Sequence, residues 1–110
     1  MVRPRLHRRV CHHPFHTFFK PAGIKSDELE QIILTIDELE AVRLKDLQGF
    51  EQEKAAGEMN ISQPTFHRLL SSARKKIAEA LINGKALKIE GGDFNLNKKC
   101  VCKRHQRGKR

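Results

Sequence analysis

Residues 52–71, read as QEKAAGEMNISQPTFHRLLS, constrain the fold of this chain more than any other stretch. Ala55, Ala56, Met59, Ile61, Phe66 and Leu69 put small or apolar side chains where two crossed helices must touch. The turn between them needs a residue that tolerates positive φ, and Asn60 is the non-glycine type best suited to that strain. Ser62 then serves as N-cap of the second helix. Gln63, Pro64, His67, Arg68 and Ser71 fall together on its outward stripe. This is the pattern of a helix-turn-helix, whose second helix is the one that enters a major groove.

Charge points the same way. The chain has 22 Lys+Arg against 13 Asp+Glu, a net charge of +9, and the excess is uneven. Residues 1–25 carry six basic groups and no acid; residues 26–60 carry three basic and ten acidic groups; residues 61–110 carry thirteen basic and three acidic. The balance flips where the second motif helix begins, which predicts one basic face. The bland alternative is a basic surface that serves only solubility.

At 110 residues the chain is expected to be one small domain with a single core. It divides into a basic flexible arm (1–14), a domain (15–97) and a basic flexible tail (98–110). Phe18 and Phe19 in FFKPAGI are apolar anchors before a turn at Pro21 and Gly23. Residues 26–33 read equally well as a short helix or a strand. From Leu34 to Leu47 a helix is expected, with a capping box of Thr35 and Glu38, a hydrophobic staple of Leu34 and Leu39, a core stripe of Leu39, Val42 and Leu47, and Gly49 as its end. The second motif helix continues to about Asn83 and stops at Gly84. Beyond it ALKIE and DFNLN flank Gly91-Gly92, which predicts a hairpin with Ile89 opposite Phe94 and Leu87 opposite Leu96. Such a hairpin must pack on the helices or pair with FFKPAGI. The fold class is therefore mainly α, with a small C-terminal β-hairpin and basic tails.

The order FKPAGI, LTIDELEAVRLKDLQGF, QEKAAGEMNISQPTFHRLLSSARKKIAEAL and GKALKIEGG resembles an uncharacterised prokaryotic family of predicted DNA-binding proteins, and covers about residues 3–92. The core of that family is similar to region four of sigma factors. The resemblance implies a sigma-region-four-like helix-turn-helix that binds DNA and regulates transcription. Three positions depart from its usual pattern. Glu51 replaces a Ser or Thr cap, Gly57 lies inside the first motif helix, and Asn60 replaces the turn glycine; the first two each cost about 1 kcal/mol.

The chemistry of the second helix then assigns roles. Gln63 suits a bidentate contact to adenine and Arg68 one to guanine, while His67 donates or accepts at a base edge, and the three are candidates for base readout. Ser62, Thr65, Ser71, Arg74, Lys75 and Lys76 are candidates for phosphate contact, which adds affinity without sequence information. The competing reading is a solvated polar face, with Glu79 paired to Lys75. Arg3, Arg5, Arg8 and Arg9 of the arm, and the tail from Lys98, are expected to reach along the same DNA.

Cys11, His16, Cys100, Cys102 and His105 offer a rival use as soft and imidazole ligands for zinc or iron, although paired CxxC spacing is absent. Three cysteines cannot all pair within one chain, and Cys100 and Cys102 are too close for an unstrained bridge; reduced thiols fit the cytoplasm. Neither a membrane span nor a secretory signal is evident. No glycine-rich phosphate cradle or nucleophile elbow argues for an enzyme, and no cofactor is expected. The expected partner is double-stranded DNA, with a second copy of the chain and RNA polymerase as further candidates and no membrane. The alternatives are a metal-responsive regulator or a nonspecific nucleic-acid-binding accessory protein.

Overall fold

The computed structural model describes residues 8–10, 14 and 16–92 with their side chains, and 94–96 as backbone. It is mainly helical, with α1 (Ile36–Val42), α2 (Gln52–Met59) and α3 (Gln63–Asn83), to which five short strands are added: β1 (Arg8–Val10), β2 (Phe18–Phe19), β3 (Gln31–Leu34), β4 (Ala86–Ile89) and β5 (Phe94–Leu96). No described helix is long and apolar enough to cross a membrane.

The start of α1 follows from its local sequence. Thr35 accepts from the Glu38 amide while the Glu38 carboxylate accepts from the Thr35 amide, so the expected capping box forms. Leu34 and Leu39, on either side of that box, join one apolar cluster. Past Val42 the helix widens into a π turn over Arg43–Leu47, closed by the Gln48 amide on the Arg43 carbonyl at 2.8 Å. A π turn changes the angular step per residue. Leu44 is thereby buried, whereas Leu47, expected in the core, is 72% exposed.

Two apolar clusters meet at Val42. Ala41, Leu44, Ala55, Ala56, Met59, Phe66 and Leu70 bind the three helices together. Val10, Leu34, Ile36, Ala73 and Ile89 join α3 to the strands. Phe66 is fully buried, which for a side chain of its size contributes roughly 1.5–3 kcal/mol.

The undecided segment 26–33 resolves into a 3-10 turn over Ser26–Glu28 followed by β3. β3 pairs in parallel with β4, Ile32 opposite Leu87 and Leu34 opposite Ile89. On its other edge β4 pairs antiparallel with β2, Phe19 opposite Leu87, so the FFKPAGI segment does pair with the C-terminal strand. The predicted hairpin is overturned, because both edges of β4 are already taken. β5 instead pairs in parallel with β1, Val10 opposite Leu96. Gly91 and Gly92 do take positive φ, 77° and 101°. Their purpose is a close approach to α1: the Gly91 carbonyl accepts from the Ile36 amide, and a Cβ on Gly92 would lie 2.5 Å from the Asp37 carboxylate. The arm is also partly corrected. Residues 8–10 form β1, and Val10 is 0% exposed in the second cluster.

Candidate nucleic-acid interface

α2 and α3 are joined by a turn of three residues whose geometry follows from side-chain type. Asn60 takes the left-handed conformation, φ 61° and ψ 44°, and its amide reaches back to the α2 carbonyls. Glu51, the poor cap, makes no side-chain cap bond. Ser62 does cap α3, accepting from the Thr65 amide at 3.3 Å. Pro64 sits in the first turn, where its missing amide hydrogen leaves nothing unsatisfied. Gly84 ends α3 with φ 68°.

α3 turns Phe66, Leu70, Ala73 and Ala80 inward. Gln63, Pro64, His67, Arg68, Ser71, Arg74 and Lys75 are exposed on the other side. The three base-readout candidates thus share one open strip. Thr65 is half-buried, and its hydroxyl oxygen accepts from Ser62 at 3.0 Å and from Arg68 Nη2 at 3.2 Å. These bonds draw the Arg68 guanidinium toward the N-terminal turn. Ser62 and Thr65 are engaged with each other and with the backbone.

The basic run does not act as one face. Arg74 is clamped by both carboxylate oxygens of Asp46, at 3.1 and 2.5 Å. The hydrogen bond from Arg74 is the main cause that holds the Asp46 carboxyl below its ordinary range, and the guanidinium is raised in turn. Lys76 turns inward and gives its ammonium to Glu38 at 2.7 Å. Lys75 keeps its exposed position, and Glu79 bonds Lys85 at 2.7 Å. Of the three expected phosphate grips, Lys75 is the one with no hydrogen bond or ion pair to a carboxylate among the described residues, although its charge helps to lower the Glu79 carboxyl.

Sequence reasoning missed how α3 is locked at its angle. The Glu38 carboxylate that closes the capping box also accepts from Ser72 at 2.6 Å and from Lys76. Burial raises its pKa, but the bonds from Lys76, Ser72 and the Thr35 amide, with the Lys76 charge, outweigh burial and leave it lowered. The one signal that could have found this shared acceptor is the spacing of Ser72 and Lys76, one turn apart on α3 and both half-buried. Arg9, expected to reach along DNA with the arm, makes long-range hydrogen bonds within the fold. Its Nε and Nη2 donate to the Glu58 and Gly57 carbonyls at 2.9 and 3.2 Å, capping the negative end of α2. Arg8 lies 3.7 Å from Asp37. Arg3, Arg5 and the tail from Lys98 lie outside the described residues, as do Cys11, Cys100, Cys102 and His105, while His16 is exposed. Among the described residues no group of three His, Cys, Asp or Glu is placed to hold a metal ion.

Residues 1–97 match the family described as "Protein of unknown function DUF134". The chain belongs to that family. DUF134 relatives named UPF0251 protein occur in Pelotomaculum thermopropionicum, 57% identical over 96 residues that make up 87% of this chain and 73% of the relative. Another, in Thermoanaerobacter sp. (strain X514), is 49% identical over 110 residues, 100% of this chain and 93% of the relative. A third, in Moorella thermoacetica, is 51% identical over 105 residues, 94% and 70% respectively. The names of these DUF134 relatives state no activity. No solved structure matches the chain.

Proposed function

We propose that this protein is a sequence-specific duplex-DNA binder and transcriptional regulator, with α2, the Asn60 turn and α3 acting as a helix-turn-helix of the sigma-region-four type. The observation that carries the reading is the exposed strip Gln63, His67, Arg68 and Ser71 on a helix whose opposite face is buried. Gln63, His67 and Arg68 read base edges in the major groove; Ser71 and Lys75 contact phosphate. Ser62 and Thr65 hold the helix start and offer it to a phosphate as well. Arg74 and Lys76 serve the domain instead, by fixing α3 to Asp46 and Glu38.

Selection of bound sequences from a random duplex pool, followed by shift assays, tests this. Arg68→Ala should weaken the selected site by roughly 1–3 kcal/mol and relax one base position. Lys75→Ala should weaken all duplexes alike and flatten the salt dependence. A pool with no enriched sequence, or RNA bound as well as duplex DNA, would reject the proposal.

One observation favours a second reading, a metal-responsive regulator. β1 and β5 run parallel with Val10 opposite Leu96, and Cys11 follows Val10 directly in sequence while Cys100 and Cys102 follow Leu96 by four and six residues. Near-stoichiometric zinc or iron in purified protein, lost on Cys100→Ser, is its signature.

A further inference from the structure

Arg74 and Lys76 are both held by carboxylates, but release would cost the two pairs very different amounts. The Glu38 side chain is 8% exposed and also accepts from Ser72 and the Thr35 amide, so taking Lys76 away leaves a charge uncompensated in a buried hub. The side chains of Arg74 and Asp46 are 53% and 39% exposed, and water can rehydrate both. An exposed ion pair of this kind is favoured by a factor of about five or less. Lys76 therefore stays where it is, whereas Arg74 can exchange its partner.

The position of Arg74 says what that new partner is. It follows His67 by two turns on the same exposed stripe of α3, with Ser71 between them. Two turns are about 10 Å of helix axis. The major groove is about 12 Å wide, so a helix whose first turns lie against its floor brings this residue out to the wall, where phosphates stand rather than base edges. The partner present in the free protein is chemically alike. Arg74 Nη2 donates to Asp46 Oδ1 at 2.5 Å and Nε to Oδ2 at 3.1 Å, the two-point geometry that arginine also makes with a phosphate. Asp46 is brought there by the π turn Arg43–Leu47, from 28 positions away in the chain.

We propose that Asp46 is an internal stand-in for a DNA phosphate: it holds Arg74 while the protein is free and yields the guanidinium to the nucleic-acid backbone when a duplex docks. This latch rests on the function proposed above. Every duplex must displace the same carboxylate, so the latch lowers affinity by one factor for all sequences and leaves discrimination to Gln63, His67 and Arg68. It thereby restrains a chain of net charge +9, which would otherwise grip any nucleic acid more tightly.

Asp46→Asn, which keeps the shape of the side chain, tests the latch when compared with Arg74→Ala and the double variant. Asp46→Asn should bind selected and random duplexes alike about three- to tenfold more tightly than wild type. With Arg74→Ala already present the same change should add less than about twofold, and the salt slope of Asp46→Asn should exceed that of the double variant by about 0.9. No gain in Asp46→Asn overturns the proposal, as does an equal gain without Arg74, which is what mere removal of a negative charge gives. The wild type supplies a reading free of any variant's stability: the Arg74 Nε–H resonance should move when duplex or heparin saturates the protein, and an unmoved resonance also overturns the latch. Elution from heparin separates the latch from the DNA reading. Later elution of Asp46→Asn that depends on Arg74, with no form binding duplex DNA, upholds the exchange on a polyanion and removes the DNA reading. Duplexes selected by a wild type that Asp46→Asn merely equals, on heparin and on DNA, remove the latch and leave the reading.

Discussion

Gly92 is where a single added carbon is most costly. Its φ of 101° disfavours any L side chain, and a Cβ would stand 2.5 Å from Asp37 Oδ1 and 2.9 Å from Thr35 Cβ. Gly92→Ala should therefore destabilise by about 1–3 kcal/mol from backbone strain, with the contact adding to it. Chemical denaturation measures this, and an unchanged midpoint would show that the corner is free to move. Glu38 gives a pH test. Its folded pKa is lowered, so its contribution is fully present above the unfolded value and is lost as pH falls through the folded one. Thermal melts should show wild type losing stability on acidification more steeply than Glu38→Gln, which starts about 1–3 kcal/mol lower at neutral pH. Parallel acid limbs would mean that the carboxylate does not carry the charge-dependent part.

At the scale of elements, α2 is the soft one. It has eight residues, no side-chain N-cap bond and a glycine inside it. A Cβ at Gly57 would meet nothing within 4 Å, so Gly57→Ala should stabilise by about 0.5–1 kcal/mol. A loss of stability would mean that the position serves something beyond α2 itself. Ser62→Ala removes the α3 cap and should cost about 1 kcal/mol, read as a lower denaturation midpoint. Ends of elements were legible in the sequence because their chemistry is local. Thr35 with Glu38, Asn60, Ser62 and Gly84 each act within a few residues, and each does what its type suggests. The Gly91-Gly92 pair reads as a hairpin turn for the same local reason, and was misread because the partners of β4 come from far earlier in the chain. Likewise the exposed strip of α3 follows from periodicity. The fate of Arg74 and Lys76 does not, since their carboxylate partners lie 28 and 38 positions away.

Taken whole, the molecule has its helices inserted between two neighbours in one sheet. β3 and β4 lie side by side in parallel, yet α1, α2 and α3 all lie between them in sequence. β4 is also the central strand, so β2 and β3 touch it and not each other. Closing so long a loop before any reward is gained slows folding. A chain emerging from the ribosome thus carries β2 and β3 with nothing to pair with until residue 89 has been made. During that interval Ile32 and Leu34 are exposed strand edge, open to capture by another nascent chain.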